Sequence, residues 1–158
     1  MPGDCIVAMD PGLSGAVAFY WIADPDRVDV HDMPVVDKQV NAAELVMLLR
    51  LRKPKAAVIE QMQPMGKMGA ASSMKLGRNF GVLIGVVTAL EIPMQLAQPS
   101  RWKKAMRLTA DKEHSRRIAI ERFPRDAASF KRKKDEGRAE AALLALWAAT
   151  VVATGDAR

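Results

Sequence analysis

The side chains of this chain best suited to chemistry are acids. Asp10 closes the apolar run Cys5 to Met9 and stands just before Pro11-Gly12, and Glu60 closes a second apolar run, Ala56 to Ile59. Asp135, Glu136 and Glu140 gather near the start of a long Ala- and Leu-rich stretch, where the spacing of Glu136 and Glu140 places both on one helical face. In open α/β sheets, sites assemble at the carboxyl ends of strands, so acids at two strand ends can face each other if the strands are neighbours. Together with the acids of the last helix they could make a cage of carboxylate oxygens. Hard divalent ions such as Mg²⁺ take oxygen donors and need neither histidine nor cysteine. Paired ions of this kind activate water and stabilise the leaving oxygen of a phosphodiester. Each acid also has a plainer use: Asp10 can cap the turn after it, Glu60 can pair with a lysine, and Asp135 and Glu136 can favour a helix N-terminus.

The remaining inventory narrows the chemistry. The single cysteine, Cys5, excludes an internal disulfide framework and Cys-rich zinc patterns and suits a reducing compartment. His31, His114 and the one tyrosine, Tyr20, leave little for a serine-hydrolase triad. A length of 158 residues with 49% hydrophobic and 27% charged side chains suits one globular domain over 1–158. The longest nonpolar stretch, Ala141 to Gly155, falls short of the ~20 residues of a membrane span and reads as a buried helix. The expected setting is the cytoplasm, with no membrane partner.

Positive charge is concentrated. The net charge is +6, yet residues 101–134 alone hold 13 Lys and Arg against 4 Asp and Glu. This region includes Arg101, Lys103, Lys104, Lys112, Arg116 and the tract Lys131-Arg132-Lys133-Lys134, with the aromatic Trp102 among them. A solvated helix face is the plain reading; the aromatic and the basic tract point instead to a polyanion, nucleic acid first.

The acids need a frame. Cys5 to Met9, Gly15 to Trp21 and Val28 to Met33 read as three strands of an antiparallel meander, broken by Asp10-Pro11-Gly12 and Asp24-Pro25-Asp26. Asn41 followed by Glu44 starts a helix that Pro54 stops, and Ala56 to Ile59 is a fourth strand ending in Glu60. Gln61 to Ala70 is a Met-rich loop, after which Ser72 or Ser73 caps a long helix reaching Leu90. Along that helix Ser73, Gly77, Gly81 and Gly85 recur every four residues, a small-residue stripe for close packing against this domain's own sheet or against another subunit. Met94 to Ala97 is a fifth strand; short and longer helices follow around Trp102 and Met106 and from Lys112 to Phe123. Arg125 to Lys134 reads as an exposed connection, and Gly137 to Ala153 as the last helix. This order makes a mixed sheet flanked by helices, an α/β architecture.

Read together, these residues resemble the RuvC-like Holliday junction resolvases of the RNase H-like superfamily. Ile6 to Ala18, IVAMDPGLSGAVA, is similar to that family's opening strand, aspartate and glycine turn. Ile59-Glu60-Gln61, then Ser73-Met74-Lys75-Leu76-Gly77 and Gly81, resemble its glutamate strand, DNA-contacting loop and long helix. Asp111-Lys112-Glu113 with Ser115, and Gly137-Arg138-Ala139-Glu140-Ala141 in the last helix, complete an ordered set of four matches spanning nearly the whole chain.

The resemblance implies an RNase H-like five-stranded sheet, three antiparallel strands then two parallel. It also implies a homodimer that binds four-way junction DNA and nicks two strands of like polarity with two Mg²⁺ or Mn²⁺ ions per site and no small-molecule cofactor. Asp10, Glu60 and Glu140 fall on its metal ligands. The family's second acid of the last helix would lie at Gly137, so Asp135 or Glu136 must substitute; Glu136 is preferred because some phage-type relatives place the acid just before the glycine. Lys75, Lys104 and Lys112 match basic positions, and Arg78, Arg101, Lys103, Arg116 and Lys131 to Lys134 join them as expected DNA contacts. Where bacterial relatives carry an aromatic wedge in the loop after the glutamate, this chain offers Met62, Met65 and Met68, a softer apolar wedge. Two other readings on the same fold are a non-catalytic branched-DNA-binding protein and a nuclease for RNA–DNA hybrids or other branched DNA.

Overall fold

The computed structural model describes residues 4–63 and 66–154. Strands β1 (Cys5–Met9), β2 (Ala16–Trp21) and β3 (Val28–Asp32) form the antiparallel meander. A two-residue hairpin follows, β4 (Val35–Val36) and β5 (Gln39–Val40), then helix α1 (Ala42–Arg52). Strand β6 (Ala56–Glu60), helix α2 (Ala70–Ala89), strand β7 (Met94–Ala97) and helices α3 (Pro99–Ala105) and α4 (Lys112–Arg122) come next. Two 3₁₀ turns, Pro124–Phe130 and Lys133–Asp135, lead into α5 (Glu136–Thr154). The main sheet runs β3-β2-β1-β6-β7, with β6 parallel to both β1 and β7. This is the expected mixed sheet of three antiparallel strands followed by two parallel ones.

Side-chain alternation divides the core into two layers. Ile6 and Ala8 of β1, Ala16, Ala18 and Tyr20 of β2, and Val58 of β6 join the core built on α5. Cys5, Val7, Met9, Val17, Phe19 and Ile59 join the opposite core with Leu45 and Leu49 of α1 and Leu83, Val86 and Val87 of α2. Because β1 and β2 are covered on both faces, they read as unbroken apolar runs rather than alternating ones. At the rim, Asp29 of β3 accepts from Arg52 of α1 at 2.8 Å and lies 3.1 Å from His31 Nε2. The His31 contact first, and Arg52 with it, holds the Asp29 carboxyl down at about 2 against the cost of burial.

Several sequence expectations need correction. Helix α2 begins at Ala70 with Gly69 as its N-cap, so Ser72 and Ser73 lie inside its first turn rather than capping it. The glycine stripe does not pack on the sheet: Gly77, Gly81 and Gly85 are exposed, and a methyl group added to any of them meets nothing within 4 Å among the described residues. The residues of α2 that face inward are Asn79, Leu83, Val86 and Val87. The connection from Arg125 to Lys134 is not wholly exposed, since Phe130 is fully buried in the α5 core.

Candidate active site

Strand register brings the first two acids together. Met9 pairs with Ile59 across the parallel β1–β6 ladder, so the next residues, Asp10 and Glu60, stand side by side where both strands end. Asp10 and Glu60 each lie two residues beyond a side chain of the α5 core, Ala8 and Val58, and strand alternation directs them to that same face. The start of α5 adds Glu136 and Glu140. The turn after Asp10 is tight: Gly12 N–H points at Asp10 Oδ1 at 3.4 Å, and a Cβ on Gly15 would collide with the Asp10 carbonyl. Glycine is required at position 15 by space alone.

Crowding and burial perturb these acids. Burial, the dominant cause, pushes Asp10 up to about 6; Glu140 and Glu136 add to the rise, while Gly12 N–H and Lys103 oppose it. Burial likewise pushes Glu60 up to about 7; Lys103 and a hydrogen bond from Trp102 oppose this, and Asp10 and Glu140 reinforce it. Lys103 stands between two of the acids, its Nζ donating to Glu140 Oε2 at 3.2 Å and lying 3.8 Å from Glu60 Oε2. Lys112 pairs with Glu136 at 2.9 Å, and that contact raises the lysine above its ordinary range.

Among the described residues, no three acids, histidines or cysteines come close enough to close around one ion as they stand. The ammonium of Lys103 occupies the space between Glu60 and Glu140 instead. The donor set is nonetheless all oxygen, and burial first, with neighbouring negative charge, raises two of its members to about 6 and about 7. Such a set fits a hard divalent cation in its chemistry.

Other expected site residues fall elsewhere. Asp135 is buried and engaged by a neighbouring arginine: it accepts from Arg132 N at 2.8 Å and from Arg132 Nη2 at 2.7 Å, closing a capping box before α5. This is the plainer helix-start use of that acid. Arg132 is thereby engaged internally, and Arg116 is bonded to the carbonyls of Phe130 and Lys131 and to Glu113. Lys75, Arg78, Arg101, Lys104, Lys131, Lys133 and Lys134 are exposed. Met62 and Met68 are half-buried, and Met65 lies outside the described residues. Trp102 is fully buried, which takes it out of the aromatic surface expected for a polyanion. Its bond to Glu60 had no sequence signal, because it depends on how α3 is aimed after β7, whereas the Lys103 contact is the lysine pairing that the sequence left open to Glu60. No helix among the described residues is long and apolar enough to cross a membrane.

Comparison with known proteins supports the architecture. No family model matches the chain, and no curated protein matches it by sequence. Among solved structures, RuvC from Thermus thermophilus in complex with a Holliday junction substrate superimposes with a TM-score of 0.66 at 15% identity, covering 96% of each chain. Another structure of Thermus thermophilus RuvC gives 0.64 at 16% identity, again over 96% of each chain. The chain therefore shares the RuvC-like, RNase H-like fold over 96% of its length.

Proposed function

We propose that residues 1–158 form one RNase H-like nuclease domain, a structure-selective endonuclease that resolves four-way DNA junctions by paired nicks. The carrying observation is the convergence of Asp10 and Glu60, from adjacent parallel strand ends, with Glu140 around Lys103. It occurs on a fold shared over 96% of both chains with a RuvC in complex with a Holliday junction substrate. Asp10, Glu60, Glu136 and Glu140 would hold two Mg²⁺ or Mn²⁺ ions. When bound, such ions supply an activated water and stabilise the departing oxygen of the phosphodiester.

The chain's own groups have separate tasks. Asp10 and Glu60 stand at the ends of paired strands, so their backbones need little reordering. Lys103, freed from Glu140, would meet a phosphate oxygen, and Lys112 is placed to do the same beside Glu136. Exposed Lys75, Arg78, Arg101, Lys104, Lys131, Lys133 and Lys134 would hold the DNA backbone with a steep salt dependence. The exposed Gly77, Gly81 and Gly85 face of α2 supports a homodimer, whose two-fold axis matches that of a four-way junction.

Cleavage of a synthetic junction in Mg²⁺ or Mn²⁺, with nick positions mapped and linear duplex and RNA–DNA hybrid alongside, tests the reading. Symmetric paired nicks on the junction support it, and preferential cutting of the hybrid would replace it with the hybrid-nuclease reading. A second reading, a non-catalytic junction binder, draws on the lysine that already neutralises the acids; intact junctions bound in both metals would favour it.

A further inference from the structure

Glu60 takes a hydrogen bond from a residue that no solvent-facing role explains. Trp102 Nε1 donates to Glu60 Oε2 at 2.7 Å, while its ring is fully buried in the α5 core. The indole N–H is that side chain's only polar group, and a buried one must find an acceptor. The acceptor here is one oxygen of an acid at the candidate site.

Backbone connectivity makes the contact a built one. Ala97, the last residue of β7, pairs with Glu60, and Gln61 N–H donates to the Ala97 carbonyl at 2.8 Å. Helix α3 starts two residues later, with Pro99 in its first turn, and Trp102 N–H donates to the Gln98 carbonyl. The strand that fixes the height of Glu60 therefore also fixes the start of the helix carrying its indole partner. Lys103, the next residue, approaches the same Oε2 at 3.8 Å. Among the described residues, Oε1 accepts no hydrogen bond from the protein.

We propose that Trp102 is a positioning residue that anchors Oε2 of Glu60 from the core side and leaves Oε1 as the oxygen offered to a divalent ion. The inference rests on the reading of Glu60 as a metal ligand. Outer partners of this kind orient metal-binding carboxylates, and their loss weakens metal binding by roughly 10–100-fold. A flexible glutamate at a strand end gains a single orientation from a ring that packing already holds still.

The test is Mn²⁺ binding to the DNA-free protein by calorimetry, in wild type, Trp102→Phe, Glu60→Gln and Trp147→Phe. Trp147 packs against the same core, so its variant controls for loss of indole volume. The expected result is weaker Mn²⁺ binding by about 10-fold or more in Trp102→Phe, with Trp147→Phe like wild type. In wild type, Mg²⁺ should move the indole N–H resonance of Trp102 in ¹H–¹⁵N spectra more than those of Trp21 and Trp147, and Glu60→Gln should shift it without metal. That spectrum decides the matter if Trp102→Phe fails to fold. Wild-type Mn²⁺ affinity in a folded Trp102→Phe, with binding lost in Glu60→Gln, overturns the positioning role alone. An absence of Mn²⁺ binding by wild type overturns the metal reading of Glu60 and the positioning role with it.

Discussion

Gly137 at the start of α5 meets the carbonyl of Ser14 so closely that a Cβ on Gly137 would stand 2.5 Å from that oxygen and 3.2 Å from Gly15 Cα. Two glycines thus let the last helix seat against the β1–β2 turn that carries Asp10. The RuvC-like pattern that the sequence resembles would put an acid at position 137, and here no side chain fits there. Glu136, one residue earlier and half-buried, adds its charge to that of Glu140 at Asp10.

Substitution at Gly137 should therefore damage the fold rather than add a working acid to the site. Alanine removes the entropic cost of a helical glycine, about 1 kcal/mol. The collision costs more, in the range of roughly 1–3 kcal/mol for overpacking. Gly137→Ala and Gly137→Asp should both lower Tm in thermal melts, the larger residue by more. A Gly137→Asp protein as stable as wild type and faster at junction cleavage would refute this account.

The site acids should destabilise the fold at neutral pH. Asp10 and Glu60 rise from ordinary values of 3.8 and 4.5 to about 6 and about 7 on folding. Between those limits the folded state binds more protons than the unfolded state, so stability falls as pH rises through the window. Asp10→Asn and Glu60→Gln should each raise stability at pH 8 by roughly 1–3 kcal/mol, and the gain should shrink toward pH 4. Because the two acids interact, the double variant should gain less than the sum. Denaturant melts at the two pH values check this; variants less stable than wild type at pH 8 would contradict it.

Lys103 should compete with metal. Its ammonium bridges Glu140 and Glu60, so Lys103→Met removes a cation from between two carboxylates without removing the stem. Mn²⁺ should bind the DNA-free variant more tightly than wild type. Junction cleavage should fall by about 10-fold or more, the scale on which one charged stabiliser of a developing oxyanion acts. Weaker Mn²⁺ binding in the variant would show that the lysine supports the site rather than occupying it.

Legibility from sequence followed the range of the interaction. The strands of the main sheet, and Asp10 and Glu60 at strand ends, were readable because apolar runs and Pro-Gly breaks are local signals; that β1 and β6 are neighbours was not, and the parallel half of the sheet was expected only from the resemblance. The β4–β5 hairpin was not. Its turn residues Asp37 and Lys38 both take positive φ, 49° and 59°, without the Asn-Gly pair that announces such turns. Spacing alone did not separate the neighbouring acids Asp135 and Glu136, and only the resemblance favoured Glu136; the Arg132 capping box engages Asp135. The outward glycine stripe and the aim of α3 depend on which helix face meets the sheet, and composition does not encode that face.

The choice between Asp135 and Glu136 is open to direct separation, because each reading predicts a different loss. Asp135 is buried and carries the hydrogen bonds from Arg132 N, Nε and Nη2, so Asp135→Asn strips charge from a satisfied structural contact. Its expected cost is about 1–3 kcal/mol of stability with Mn²⁺ affinity unchanged. Glu136 is half-buried, and its one ion pair among the described residues is with the largely exposed Lys112, a contact of small energetic weight. Glu136→Gln should stay within about 0.5 kcal/mol of wild-type stability, yet lose Mn²⁺ affinity and junction nicking together. Calorimetry and thermal melts on the two variants decide the matter. The opposite pattern, a stable Asp135→Asn without metal and an unstable Glu136→Gln with it, would transfer the ligand role to Asp135.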